Sequence, residues 1–145
     1  MSKNFEEILV PFNGTDGSQK AFKKAVAIAG LEKSKITILT CIEERATFGL
    51  FKTKTNKQEF EKEKSQIKSE HDKLQEYAKK SDVSVNSEII ISDRPALTIL
   101  EYADKHNVDI IILGKRKLTK FEKIHFPSTI EDIVKNFHGA VLILN

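Results

Sequence analysis

Five short apolar runs, almost unbroken by polar residues, constrain this chain most. They are ILVPF at Ile8–Phe12, KITILTCI at Lys35–Ile42, VSVNSEIII at Val83–Ile91, VDIIIL at Val108–Leu113 and AVLIL at Ala140–Leu144. A strand with one wet face alternates polar and apolar residues. Near-continuous runs suit strands buried on both faces, as in a parallel sheet. Longer stretches with helical periodicity separate them. GSQKAFKKAVAIAGL puts Ala21, Phe22, Ala25, Ile28 and Ala29 on one face. Thr55–Lys80 reads as a long polar helix with a narrow stripe of Phe60, Ile67, Leu74 and Tyr77. PALTILEYADKH places Pro95 at a first helical turn and turns Ala96, Ile99, Leu100 and Ala103 inward. A last helix is expected over Ser128–Phe137.

This order predicts an α/β fold: a single doubly wound domain over residues 1–145, with helices on both faces of a five-stranded parallel sheet. Crossovers should be right-handed. In such sheets ligands sit beyond the carboxyl ends of the strands, where strand order reverses. The loops after the first and fourth strands therefore have a positional claim on function.

Composition narrows the class. The chain is 39% apolar and 31% charged, within the range of globular proteins. No apolar run approaches the ~20 residues of a membrane span. MSKNFEEILV lacks a signal peptide's apolar segment, so a cytoplasmic location and no membrane contact are expected. The single Cys41 excludes an intrachain disulfide and fits a reducing compartment. A net charge of +3 is too mild to point to nucleic acid. The one short basic patch has no interleaved stacking aromatics, so nucleic-acid binding is not expected.

The first loop is PFNGTDGSQKAF. Gly14 and Gly17 lie where strand becomes helix, and Asp16 reads as an N-cap with Gln19 as its capping-box partner. The loop is either a tight, well-capped turn or an anion site at a helix start. It carries neither Gly-Lys-Ser/Thr nor the full G-x-G-x-x-G pattern. The fourth strand ends at Gly114, followed by Lys115, Arg116, Lys117, Lys120 and Lys123, with Glu122 the only acid before Ser128. Ser128 and Glu131 form a second capping-box pattern. That loop is either a solvated basic segment or an anion site. Cys41 reads as a small apolar core residue rather than a redox group. His71, His106, His125 and His138 show no ligand spacing, so no metal is expected. Phe48, Leu50 and Phe51 form a lid, a partner surface or packing at the sheet end, and Phe121 and Phe126 pose the same choice.

ILVPFNGTDGSQKAFKKAVAIA, RPALTILEYADKHNVDIIILGKRK and STIEDIVKNFHGAVLIL together resemble the universal stress protein family across nearly the whole chain. The resemblance implies strand order 3-2-1-4-5. It also implies homodimers, in many members joined through the last strand, here Ala140–Leu144. An apolar edge strand left bare is an aggregation hazard. Many members hold ATP with Gly-x-x-Gly, nine residues, then Gly-Ser/Thr. On this chain those positions fall on Gly114, Lys117, Pro127 and Ser128, so two of the three glycines are missing. A left-handed Lys117 would cost roughly 1–2 kcal/mol. Pro127 fixes φ and offers no N–H to a phosphate. Asn13 stands in place of the family's usual aspartate.

The site implied by the resemblance is Pro11, Phe12, Asn13 and Gly14 after the first strand and Cys41 and Ile42 at the end of the second. Gly114, Arg116 and Lys117 follow the fourth strand, and Pro127, Ser128 and Thr129 precede the last helix. The expectation is a homodimeric binding or regulatory module, not a catalyst, with a degenerate nucleotide crevice and ATP binding weak or absent. The alternative is an adenine-nucleotide binder, with or without slow hydrolysis, whose basic loop replaces the glycine cradle.

Overall fold

A computed structural model of the chain describes residues 5–42, 54–115 and 129–144. The elements alternate: β1 (Glu7–Pro11), α1 (Asp16–Glu32), β2 (Lys35–Ile42), α2 (Lys54–Lys79), β3 (Val85–Ile91), α3 (Pro95–Lys105), β4 (Ile110–Gly114), α4 (Thr129–Asn136) and β5 (Ala140–Leu144). All strands pair in parallel, in the order β3-β2-β1-β4-β5. This is the order the family resemblance implies.

The apolar runs have a direct physical reason. Ile8, Val10, Ile36, Ile38, Ile110 and Ile112 pack beneath α1 and α2 with Phe22, Ala25 and Ala78. The alternate residues Leu9, Leu39, Ile111 and Leu113 pack beneath α3 and α4 with Ile99, Ala103 and Ile133. Side chains in a strand alternate between faces, so strands covered on both sides need apolar residues at every position. The edge strand β3 is covered less fully and tolerates Asn86 and Glu88.

Three details differ from the sequence reading. Helix α1 is capped by Thr15, not Asp16: Thr15 is extended, and its side chain accepts from the Ser18 N–H. Asp16 falls in the first turn, where a negative charge suits the helix dipole. Tyr77 is not part of the inward stripe of α2; it is 43% exposed and tilts against Phe22. His71 and Ala78 are fully buried in its place.

Asp109 fixes the start of the central strands. Its Oδ2 accepts from the Glu6 and Glu7 N–H groups, each at 2.9 Å. Its backbone N–H donates to Glu7 O, and its carbonyl accepts from Ala140 N–H. One residue thereby aligns β1, β4 and β5 at their amino ends and leaves their carboxyl ends to form the site.

Candidate functional site: the crevice at the carboxyl edge of the sheet

The order of strands reverses between β1 and β4. The carboxyl ends of β1, β2 and β4 bring Pro11, Phe12, Asn13, Gly14, Cys41, Ile42 and Gly114 to one edge, and Thr129 opens α4. Arg116, Lys117, Pro127 and Ser128 lie outside the described residues. So do Lys120, Lys123, His125, Phe121, Phe126, Phe48, Leu50 and Phe51.

Phe12 forms the floor. It is buried, and its N–H donates to Leu39 O at 2.9 Å, one step past the last paired residue of β1. Its carbonyl accepts from the buried Thr40 hydroxyl at 2.7 Å. Thr40 Oγ1 also lies 2.7 Å from His71 Nε2, and His71 Nδ1 lies 2.6 Å from Ser87 Oγ. The Phe12 and His71 rings meet edge to face, 6.2 Å between centres. Burial pushes the His71 pKa down to about 4; Lys68 acts in the same direction and Asp72 against it. The sequence held a signal for this position: Ile67, His71, Leu74 and Ala78 are spaced four, three and four apart on one helical face.

The loop above the floor is closed by its own groups. Asn13 Oδ1 accepts from the Thr15 N–H at 3.2 Å and from the Thr15 hydroxyl at 2.7 Å. The side-chain oxygen that would face a ligand is thus turned into its own turn. Gly14 has φ 83°, a left-handed conformation that favours glycine.

Gly114 is needed for a different reason from the one a phosphate loop suggests. It is not a positive-φ residue. A Cβ there would overlap the Gly17 carbonyl and come within 2.6 Å of Ser18 N. A Cβ on Gly17 would in turn lie 2.8 Å from Lys115 O. The first turn of α1 and the end of β4 therefore meet backbone to backbone. Lys115 is further fixed by its N–H, which donates to Leu144 O at 2.7 Å.

The remaining positions are less polar. Pro11 is half-buried and pairs with Leu39. Ile42 is buried, and its carbonyl accepts from Ser92 N–H at 2.8 Å. Cys41 packs partly buried against the α3 and α4 cluster. Burial pushes its thiol up to about 11, so it stays protonated and unreactive at neutral pH. Thr129 heads α4, whose first turn carries Glu131 and Asp132. These acids complement the helix dipole and oppose a phosphate at the same place. Among the described residues, no group of three or more His, Cys, Asp and Glu side chains could hold a metal ion.

The sequence profile of the Universal stress protein family, Usp, matches residues 4–145. The chain belongs to this family. It is 26% identical over 140 residues to Universal stress protein MJ0531 of Methanocaldococcus jannaschii, covering 97% of this chain and 82% of that protein. It is 27% identical over 157 residues to Universal stress protein MJ0577 of the same organism, covering 99% and 97%. A solved structure of MJ0577 superposes with a TM-score of 0.83, covering 97% of this chain and 96% of that one. A universal stress protein solved in complex with cAMP superposes at 0.74 and 17% identity, covering 98% of each chain. Within this fold the Gly17–Gly114 contact holds the start of α1 against the end of β4.

That contact yields a direct expectation. Gly114→Ala must push α1 away from β4, and overpacking of this kind costs roughly 1–3 kcal/mol or more. Urea melts should show that loss for Gly114→Ala. Gly30→Ala has nothing within 4 Å of the added Cβ and should melt at or above the parent.

Proposed function

We propose that this universal stress protein is a homodimeric binding or regulatory module of the cytoplasm, and that its crevice takes adenine nucleotide weakly or not at all. The carrying observation is Asn13. Its oxygen is held by Thr15 inside the turn, so the β1 wall presents neither the charge of an aspartate nor a ready acceptor. The acidic first turn of α4 adds to this on the phosphate side. The cAMP complex of a relative with the same fold supports adenosine as the ligand class. It says nothing of a triphosphate. The reading is of binding rather than catalysis.

A second reading has one observation in its favour. Lys115 is exposed at the lip of the crevice with its backbone fixed to Leu144. With Arg116, Lys117 and Lys120 it forms a cationic run that would hold phosphates by side chains instead of backbone. Such binding would weaken steeply with salt.

Mass spectrometry of the denatured protein distinguishes the two. On the first reading no stoichiometric nucleotide is released, and the double variant Lys117→Gly with Pro127→Gly gains a thermal shift with millimolar ATP. Released ATP, or a parental shift that salt abolishes, would favour the second reading. If the double variant gains nothing, the missing glycines are not the reason for weak binding.

The dimer is proposed through β5. Among the described residues no strand pairs with its outer edge, Ile143 of β5 is 38% exposed, and Val134 of α4 is 50% exposed. Ile143→Asp leaves the core untouched and should turn a dimer into a monomer by light scattering. An unchanged dimer would place the interface elsewhere.

A further inference from the structure

We infer that His71 is a positioning residue of the crevice, holding the backbone where the β1–α1 loop leaves the sheet through a one-way chain of hydrogen bonds that begins on β3. Only the consequence for a ligand rests on the proposed function; the chain itself is a property of the fold.

The direction of each bond follows from elementary chemistry. The Phe12 carbonyl has no hydrogen, so the Thr40 hydroxyl donates to it. That hydroxyl has one hydrogen, so its oxygen must accept from His71 Nε2. Nε2 therefore carries the ring proton. A neutral imidazole has only one N–H, so Nδ1 is bare and accepts from the Ser87 hydroxyl. The chain runs Ser87 to His71 to Thr40 to Phe12, from β3 through α2 and β2 to the residue that follows β1.

Packing alone does not call for a histidine here. Ala78 and Leu74 on the same face are apolar, and an aliphatic residue would fill the space. What the histidine adds is a link between the seating of α2 and the crevice floor. The same turn of α2 reaches the loop a second time: Glu70 Oε2 lies 3.4 Å from the place a Gly14 Cβ would take.

The link is sensitive to acid. A second proton would make Nδ1 a donor and force the Ser87 hydroxyl to reverse. Among the described residues, the charged groups near the ring lie on its own helix: Lys68 and Asp72, which pair with each other at 2.8 Å, and Glu70 on the Gly14 side. The strands present Phe12, Thr40 and Ser87, all uncharged, and α1 presents Phe22 to the same cluster. Glu88 of β3 acts on Tyr102, in the cluster on the other face. His71 in the closed chain holds off protonation to about 4, against an ordinary 6.5. States that expose the ring to water take the proton near the ordinary value. The buried, closed chain therefore contributes fully above about 6.5 and is progressively lost as pH falls toward 4.

The test uses the full chain, isotope-labelled, with no nucleotide added, followed by NMR from pH 7.5 to 4. The expected result is an Nε2–H tautomer at pH 7. The His71 ring, the Phe12 carbonyl and the Gly14 amide should share one inflection well below 6.5. His71→Gln retains a donor and an acceptor and should keep the Gly14 resonance while removing the inflection. His71→Leu should move the Phe12 and Gly14 resonances and speed amide exchange in the loop by roughly five- to tenfold, the effect of losing one net hydrogen bond. Thr40→Val removes the last two links, leaves His71 bonded to Ser87 and should give the same loop changes, so the test survives a Leu variant that fails to fold. An Nδ1–H tautomer, or Phe12 and Gly14 resonances that ignore both the titration and Thr40→Val, would overturn the inference. Because no ligand is present, either outcome stands apart from whether the crevice binds nucleotide.

Discussion

The first turn of α1 and the end of β4 touch with no side chain between them, and much of the site depends on that contact. Gly17 and Gly114 each lack the Cβ that would separate the two backbones. Their approach brings the β1 loop and the β4 end together at the point where the sheet reverses. It also gives Gly114 a structural necessity independent of any ligand. A glycine that would be read as the first residue of a phosphate loop is required by packing alone. Its presence is therefore weaker support for nucleotide binding than the sequence suggests.

The other organising element is polar and buried. Parallel sheets covered on both faces are built from aliphatic residues; among the polar exceptions here, the buried Thr40 of β2 and the half-buried Ser87 of β3 are joined through the buried His71 of α2. All buried side-chain nitrogen and oxygen atoms among the described residues have partners. A satisfied network of this kind is specific in a way an aliphatic core is not, because each donor has one place to point. Here it points at Phe12, the residue that begins the crevice loop. Core and site are thus joined through the Phe12 carbonyl.

Much of this was legible in the sequence. The five runs, their parallel order and the two-sided core follow from unbroken aliphatic stretches such as IIIL and TILTCI, which no one-sided sheet would need. The resemblance carried the strand order. The turn chemistry was less legible: Thr15 and Asp16 are both good caps, and only the extended backbone of Thr15 decides between them. The inward turn of the Asn13 oxygen depends on the same threonine. His71 was missed because a histidine in a helix as polar as α2 looks like one more solvated residue. Only its phase with Ile67, Leu74 and Ala78 places it inside. The Gly17–Gly114 contact joins residues far apart in sequence, and no local pattern announces it.

On the proposed function, the adenosine side of the crevice persists while the grip on a triphosphate does not. Calorimetric titration with AMP and ATP at physiological salt tests this most directly. Affinities within about threefold of each other are expected, or no measurable heat from either, since the outer phosphates gain little from this site. ATP binding more than about tenfold tighter than AMP would contradict it.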